Sequence, residues 1–526
     1  MSDKIKKQVR VRAAPSPTGR VHTGNLRTFL NDYLTAKSSS GVNILRVEDT
    51  DQNRKVEGGL EAILETLKLF GITFDEGPKQ GGDYGPYIQS ERLEIYQEHA
   101  HKLVEMGHAY YCFCSKERLD EIREKQRANK MRIMYDRHCR DIDPKESKKR
   151  VDSGDPYVVR MKFPTEGYLE FTDEIYGKIR VNNEEIDDMV LLKSDGYPTY
   201  HFSVVIDDHL MEITHVLRGR EYLTQTTRDI FLYNAFGWEP TKWVHVPLLL
   251  NPDGKGKLSK RKGAMPALAY LRKGFLPDAV LNYLVLAGWA PKPEDAKKDE
   301  IYTLDELCKI FSLDRMKKSN ARYDQKKLEH INSMHIRRLD IDTLAEKVLN
   351  WADNYVLGDF IADKFDDHFD WEIELKEKVL KYLPKWKADL DYFKKALATE
   401  HERLTVFSEI PDALNFFYDE EFDWDDDDWR TQNHDFNELA DGLEKVLPRL
   451  DEALADGSWD HEKWEKAVRG TADELGWKHG DLFLAIRSAT TGRLQSPPLL
   501  DCFKVMGWER ARGLIVNGID WLKNKK

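Results

Sequence analysis

The stretch Val9-Arg10-Val11-Arg12-Ala13-Ala14-Pro15-Ser16-Pro17-Thr18-Gly19-Arg20-Val21-His22-Thr23-Gly24-Asn25 decides the fold class. Val9, Val11 and Ala13 alternate with Arg10, Arg12 and Ala14, the period of a strand. Pro15 and Pro17 stop it, and Gly19 and Gly24 make a turn. Leu26, Phe29, Leu30, Tyr33 and Leu34 then recur on one face of a helix, which Gly41 ends. Residues 42–47 read as a second strand. Leu60, Ile63, Leu64, Leu67 and Phe70 mark a second helix closed by Gly71. Strand–helix–strand–helix opens a parallel α/β sheet. A right-handed crossover brings the 19–25 and 48–51 turns together beyond the carboxyl ends of the strands, where open α/β sheets bind ligands.

Further along, residues 111–163 carry 15 basic and 10 acidic side chains, and 156–192 read as β-rich. Residues 111–192 are therefore expected to be an α+β insertion in the α/β domain. Apolar α/β character resumes at 200–206 and 243–250. From about 265 the pattern is helical, and from about 335 strand signals are scarce, which predicts an all-α final third. Within it, residues 419–428 hold eight acids, broken only by Phe422 and Trp424, and read as a solvated acidic loop. No repeat of fixed period stands out.

A length of 526 residues implies roughly three to five domains. With 40% hydrophobic and 33% charged residues, the chain is neither disordered nor short of core material. Its net charge of −12 argues against a globally basic nucleic-acid binder but leaves room for a local basic track. The first residues lack the apolar run of a signal peptide. The most apolar window, 279–290, is broken by Asn282 and is too short to span a bilayer. Five cysteines make no disulfide scaffold, so a cytoplasmic protein is expected.

Two segments suit polyphosphate chemistry. The 19–25 turn opens a helix whose N-terminal amides favour phosphate. Gly24 permits close approach to the backbone, and His22 can donate to a phosphoryl oxygen. Alone this is weak, because a histidine beside a glycine in a turn is more often structural. Lys255-Gly256-Lys257-Leu258-Ser259-Lys260-Arg261-Lys262 has five bases in eight residues, able to neutralise a leaving pyrophosphate or simply to form a basic surface run.

Taken together, the H-x-G-N turn and the K-L-S-K-R loop resemble the two signatures of class I aminoacyl-tRNA synthetases. Between them stand Arg46-Val47-Glu48-Asp49-Thr50-Asp51, Ser194-Asp195-Gly196-Tyr197-Pro198-Thr199-Tyr200-His201, Asp207-Asp208-His209 and Val216-Leu217-Arg218-Gly219-Arg220-Glu221-Tyr222. This ordered set resembles glutamyl-tRNA synthetase of the bacterial type, densely over about 9–330 and loosely beyond.

The resemblance implies a Rossmann-type parallel sheet as catalytic domain, split into 1–110 and 193–264. It implies an acceptor-end-binding insertion at 111–192, a helical stem-contact domain at 265–335 and an all-α anticodon-binding region at 336–526. It implies activation of L-glutamate with ATP and Mg2+, then transfer to the 3′ end of tRNA(Glu). His22 and Lys260 would be catalytic, with Gly24, Asn25, Lys257 and Ser259 also holding ATP. Leu258 and Arg261 depart from the usual signature and leave Lys260 in place. Charge argues substrate choice: two carboxylates need cations, and one ammonium needs an anion. Arg12 and Arg218 fall at the family's carboxylate positions, Glu48 at its ammonium position, and Ser16 and Tyr200 can donate hydrogen bonds. Val204 stands where related enzymes often carry Asn, so one substrate contact must be replaced.

Cys112-Phe113-Cys114 and Cys139 resemble the C-x-C…C-x-H zinc site of some members, with Asp141 in place of His. A Cys3Asp zinc site is one reading and a lost site the other. Arg403 corresponds to an arginine that reads the third anticodon base in members strict for tRNA(Glu). The helical C-terminal region and the 46–51 and 218–222 segments speak for a glutamyl rather than a glutaminyl enzyme. Trp351, Trp371, Trp424 and Trp429 could stack on bases, although core filling is the commoner role. Three alternatives share part of this pattern: a short paralogue that glutamylates tRNA(Asp), an inactive RNA-binding relative, and another class I nucleotidylyltransferase. The family default is a monomer with no membrane partner.

Overall fold

The computed structural model describes residues 7–51, 56–259, 265–366, 368–429, 433–454 and 457–525. They pack as two units. One holds the chain through Tyr270 together with Pro277–Leu328 and residues 360–366. The other holds Leu271–Leu276, Glu329–Asp359 and the chain from 368 on.

The first unit opens with β1 (Arg10–Ala13), α1 (Thr23–Ser38), β2 (Val42–Leu45) and α2 (Gly59–Leu69). β1 and β2 run parallel, Arg10 opposite Val42 and Ala13 opposite Leu45. Gly41 is needed where the helix returns to the sheet, because a Cβ there would lie 2.3 Å from the Val9 carbonyl. Gly71 closes α2 with φ +74°. The alternation in β1 does not separate a wet face from a dry one: all four residues are buried. A parallel sheet is covered on both sides, so the arginines on the second face are held by acids. Arg10 makes a two-pronged contact with Glu76 at 2.8 and 2.9 Å.

Next come α3 (Leu93–Glu105), β3 (Ala109–Cys112), α4 (Lys116–Ala128), α5 (Pro144–Asp152), β4 (Val158–Met161), β5 (Tyr168–Asp173), β6 (Gly177–Asn182) and β7 (Val190–Leu192). The chain continues through α6 (Tyr200–Leu210), β8 (His215–Gly219), α7 (Thr226–Phe236) and β9 (Lys242–Val246). β8 and β9 are parallel over their full length. Thr214, just before β8, donates its N–H to the Arg10 carbonyl and so sets β8 beside β1. β3, β4 and β7 form their own antiparallel sheet. The β5/β6 hairpin instead extends the core sheet in the order β6-β5-β9-β8, joined to β9 at Asp173 opposite Trp243. The 111–192 segment is thus built partly into the core. Phe202, Val205, Ile206, Val216, Ile230 and Trp243 share one buried cluster with residues of that segment such as Val159, Met161 and Phe171.

The apolar 279–290 window forms a buried helix, Pro277–Leu286, whose Asn282 side-chain oxygen accepts from the Tyr302 N–H at 3.0 Å. No described helix is long and apolar enough to cross a membrane.

In the second unit no strand occurs among the described residues. Helix Phe436–Leu454 buries Leu439, Leu443, Val446 and Leu450, spaced to form one stripe. Residues 420–427 are mostly exposed, as a solvated acidic loop requires, but Trp424 and Trp429 turn inward. The Trp424 indole N–H donates to the Ser488 carbonyl at 3.0 Å, and Trp429 stacks on Trp521. Trp351 is 2% exposed and bonds the Arg272 carbonyl. These three tryptophans are core residues, not open stacking platforms.

Candidate active site

The carboxyl ends of the parallel strands open into a cavity of about 1300 Å³. Its wall includes Arg12, Ser16, His22, Gly24, Asn25, Glu48, Tyr200, Arg218, Lys257 and Ser259. Lys260, together with Arg261 and Lys262, lies outside the described residues.

His22 sits at the N-cap of α1 with extended backbone, and no side chain caps the helix, which leaves its first-turn amides for a ligand. A Cβ added at Gly24 would meet nothing within 4 Å. The Glu48 N–H donates to the Pro15 carbonyl at 3.0 Å, which ties the second turn to the first.

Three buried charges converge beside this turn: Arg12, Glu48 and Arg218 are 4%, 9% and 5% exposed. Arg12 Nε donates to Asp208 Oδ1 at 3.0 Å, and Arg46 Nη1 donates to the same oxygen at 2.7 Å. Arg46 Nη2 reaches Glu48 Oε1 at 3.3 Å. Burial pushes the Glu48 carboxyl up to about 6, against the pull of Arg46 and Arg12. Arg218 Nη2 donates to Asp229 Oδ2 and Thr226 Oγ1, both at 2.6 Å. Asp229 also binds His201 at 2.8 Å. Arg218 Nη1 is buried with no hydrogen-bond partner among the described residues, leaving a donor for a ligand carboxylate. Burial raises the Tyr200 phenol far above its ordinary range, so it stays a neutral donor.

The basic loop folds back on residues 249–251. Leu258 N–H donates to the Leu249 carbonyl, and Asn251 N–H to the Gly256 carbonyl. Asn251 Oδ1 accepts from the Ser259 N–H at 3.0 Å and from its hydroxyl at 3.3 Å, while Nδ2 donates to the Lys255 carbonyl at 2.6 Å. Lys257 pairs with Glu221 at 2.6 Å.

Sequence reasoning quoted Arg46, Asp207 and Asp208 without a role and missed Asp229, Asp173 and His245. Their only signal was a charge inside an apolar strand or helix; the pairs Arg46–Asp208, Asp207–Arg92 and Asp173–His245 are 162, 115 and 72 positions apart. Asp32 was missed too. It lines the cavity at 1% exposure, and burial holds its carboxyl well above the usual range. Val204 is fully buried and is not part of the cavity wall, so its missing donor is not vacated from a lining position.

Cys112, Cys114 and Cys139 come together, their sulfurs within 4.8 Å of one another. Asp141 does not join them. Its side chain is 88% exposed and its nearest cation is Lys162 at 3.9 Å, because the turn after Cys139 carries it outward. The Tyr135 hydroxyl lies against the sulfurs instead, 3.3 Å from Cys112 Sγ and 3.4 Å from Cys114 Sγ. Arg403, in the second unit, is half exposed, held by Glu400 and the Ser496 carbonyl, each at 3.2 Å.

A family model described as the catalytic domain of class I tRNA synthetases (E and Q) matches residues 8–330, and one described as an anticodon binding domain matches 374–516. A glutamate–tRNA ligase of Alkaliphilus metalliredigens is 41% identical over 516 residues, covering 96% of this chain and 98% of the relative. One from Clostridium botulinum is 42% identical, covering 98% and 99%. The solved structure of a glutamate tRNA ligase from Elizabethkingia meningosepticum, in complex with its amino acid, superposes with a TM-score of 0.79. It is 32% identical and covers 98% of this chain and 100% of its own. With likeness of this degree over nearly the full length of both partners, the chain belongs to the glutamate–tRNA ligase family of class I tRNA synthetases.

Proposed function

We propose that this chain activates L-glutamate with ATP and transfers it to the 3′ end of tRNA(Glu), as a cytoplasmic monomer taking ATP with Mg2+. The observation that carries the amino-acid choice is the convergence of two buried guanidiniums, Arg12 and Arg218, and one buried carboxylate, Glu48, on a single cavity wall. Two cations and one anion complement glutamate's two carboxylates and one ammonium. Discrimination is sharpest at Arg218 Nη1, a buried donor that a ligand without a carboxylate there leaves unpaired.

The first step joins a glutamate α-carboxylate oxygen to the α-phosphorus and expels pyrophosphate. No protein nucleophile is needed, so positioning and charge stabilisation do the work. His22, Gly24, Asn25 and the α1 amides cradle ATP, Lys257 and Ser259 shape the basic loop, and Lys260 stabilises the charge that builds on the leaving group. Ser16 and Tyr200 add hydrogen bonds to the amino acid. The tRNA ribose hydroxyl then takes the acyl group and AMP departs. Residues 111–192 receive the acceptor end, their 111–163 part through a local basic excess, 265–335 the stem and 336–526 the anticodon, where Arg403 favours tRNA(Glu) over tRNA(Gln). ATP–pyrophosphate exchange tests the first step. It should require glutamate and tRNA(Glu), with glutamate KM raised about a hundredfold in Arg218→Ala; exchange with another amino acid would contradict the proposed substrate.

We further infer a zinc ion at the thiol cluster. With Zn–S near 2.3 Å, tetrahedral ligands stand about 3.8 Å apart. Cys114 and Cys139 sulfurs are 3.6 Å apart, and the Tyr135 oxygen is near the remaining corner. Arg118 Nη1 donates to Cys114 Sγ at 3.4 Å, a charge that favours a thiolate there. Protein purified without chelator should carry one zinc per chain, also in Asp141→Ala and not in Cys139→Ser; metal-free protein would refute the site.

A further inference from the structure

Arg218 is fixed by more than its acid. Its Nε donates to His245 Nε2 at 3.2 Å. That bond requires a lone pair on Nε2, so the imidazole proton must sit on Nδ1. There it meets Asp173 Oδ2 at 2.7 Å. The same oxygen accepts the His245 N–H at 3.1 Å, while Oδ1 accepts the N–H groups of Ile175 and Tyr176 at 2.9 and 2.8 Å. Every acceptor position of Asp173 therefore faces a donor. Thr226 has another acceptor beside the Nε2 lone pair. Its hydroxyl accepts from Arg218 Nη2 at 2.6 Å and stands 3.0 Å from both His245 Nε2 and the Tyr222 carbonyl, so the carbonyl is an equally near acceptor for its one proton. His245 and Asp173 are 0% and 1% exposed, so water cannot replace either bond. The remaining charge near the imidazole is Asp229, on the far side of Arg218.

Asp173 belongs to the 111–192 segment and lies at the one register pair where its hairpin meets the core sheet. We propose that Asp173 and His245 are positioning residues for glutamate: Asp173 sets the tautomer of His245, His245 holds the Arg218 guanidinium, and Nη1 is thereby aimed at a glutamate carboxylate. Amino-acid affinity is then set by a residue of the segment that receives the tRNA end. The proposal rests on the reading of Arg218 as a glutamate ligand.

In Asp173→Asn, Oδ1 keeps its two backbone donors and the amide nitrogen faces His245. The imidazole proton is driven to Nε2, where it opposes the Arg218 N–H. Glutamate KM in tRNA-dependent pyrophosphate exchange should rise about tenfold or more, with ATP KM within about twofold. His245→Leu should behave alike, and the double variant no worse than His245→Leu alone. His245→Gln, whose oxygen can face Arg218 and whose amide can face Asp173, should stay within about threefold of the parent. Additive losses, a parallel rise in ATP KM, or unchanged glutamate KM in Asp173→Asn and His245→Leu while Arg218→Ala raises it would overturn the proposal. If Arg218→Ala itself leaves glutamate KM unchanged, the reading of Arg218 fails, and the proposal falls with it.

Discussion

Glu48 shows how a single buried residue couples substrate choice to stability. Its carboxyl, raised to about 6 chiefly by burial, faces Arg46, Arg12, Asp208 and the Tyr200 phenol. Only the ionised form pairs with an ammonium group. kcat/KM for glutamate should therefore fall about tenfold per pH unit below about pH 6, because that ratio reports free-enzyme ionisations. Glu48→Gln should give a low, flat profile over the same range. The folded-state value lies above the unfolded one, so the protonated form is favoured in the fold. The stability this contributes is present at low pH and is lost as pH rises through about 6. At pH 7 the ionised group costs on the order of 2 kcal/mol, and Glu48→Gln should recover part of it in chemical denaturation. A parent-like pH profile in Glu48→Gln would remove the residue from the site. The sequence exposed Glu48, Arg12 and Arg218 through their motifs. It did not expose the residues that hold them, because Asp208 and Asp173 meet their arginine or histidine across 196 and 72 positions respectively.

At the scale of elements, β1, α1, β2 and α2 were legible because turn residues and apolar period agreed on each boundary. What the period could not reveal was that Arg10 and Arg12 are as buried as Val11. Burial of the second face depends on what covers the sheet, which is tertiary information. The same holds for the hairpin β5/β6: the β-rich character of 156–192 was readable, but not the hairpin's seat on β9. The basic loop is held by backbone bonds to 249–251, by Lys257–Glu221 and by the side chain of Asn251. Asn251 accepts twice from Ser259 and donates to the Lys255 carbonyl. Asn251→Ala should unfasten the loop, slowing tRNA-dependent pyrophosphate exchange roughly tenfold with glutamate KM unchanged and stability lowered by about 1–2 kcal/mol. A rise in glutamate KM with an unchanged rate would show that Asn251 serves the amino-acid pocket instead.

For the whole molecule, a net charge of −12 is an average. It conceals a basic 111–163 segment, the all-basic 255–262 loop and the acidic 419–428 stretch. Bulk charge is thus a poor guide to a polyanionic partner, because such a partner meets local fields and not the average. The cysteine cluster teaches the converse. The resemblance grouped three thiols, which do meet, with Asp141, which does not join them; the chain path turns Asp141 to solvent and Tyr135 toward the sulfurs. The central claim, a ligase that joins glutamate to tRNA(Glu), is tested most directly by aminoacylation with labelled glutamate on purified tRNA(Glu), tRNA(Gln) and tRNA(Asp). Robust charging of tRNA(Glu), with tRNA(Gln) and tRNA(Asp) charged at least about tenfold more slowly, is the predicted result. Absence of charging on tRNA(Glu), or glutamate transfer to tRNA(Asp) alone, would contradict it.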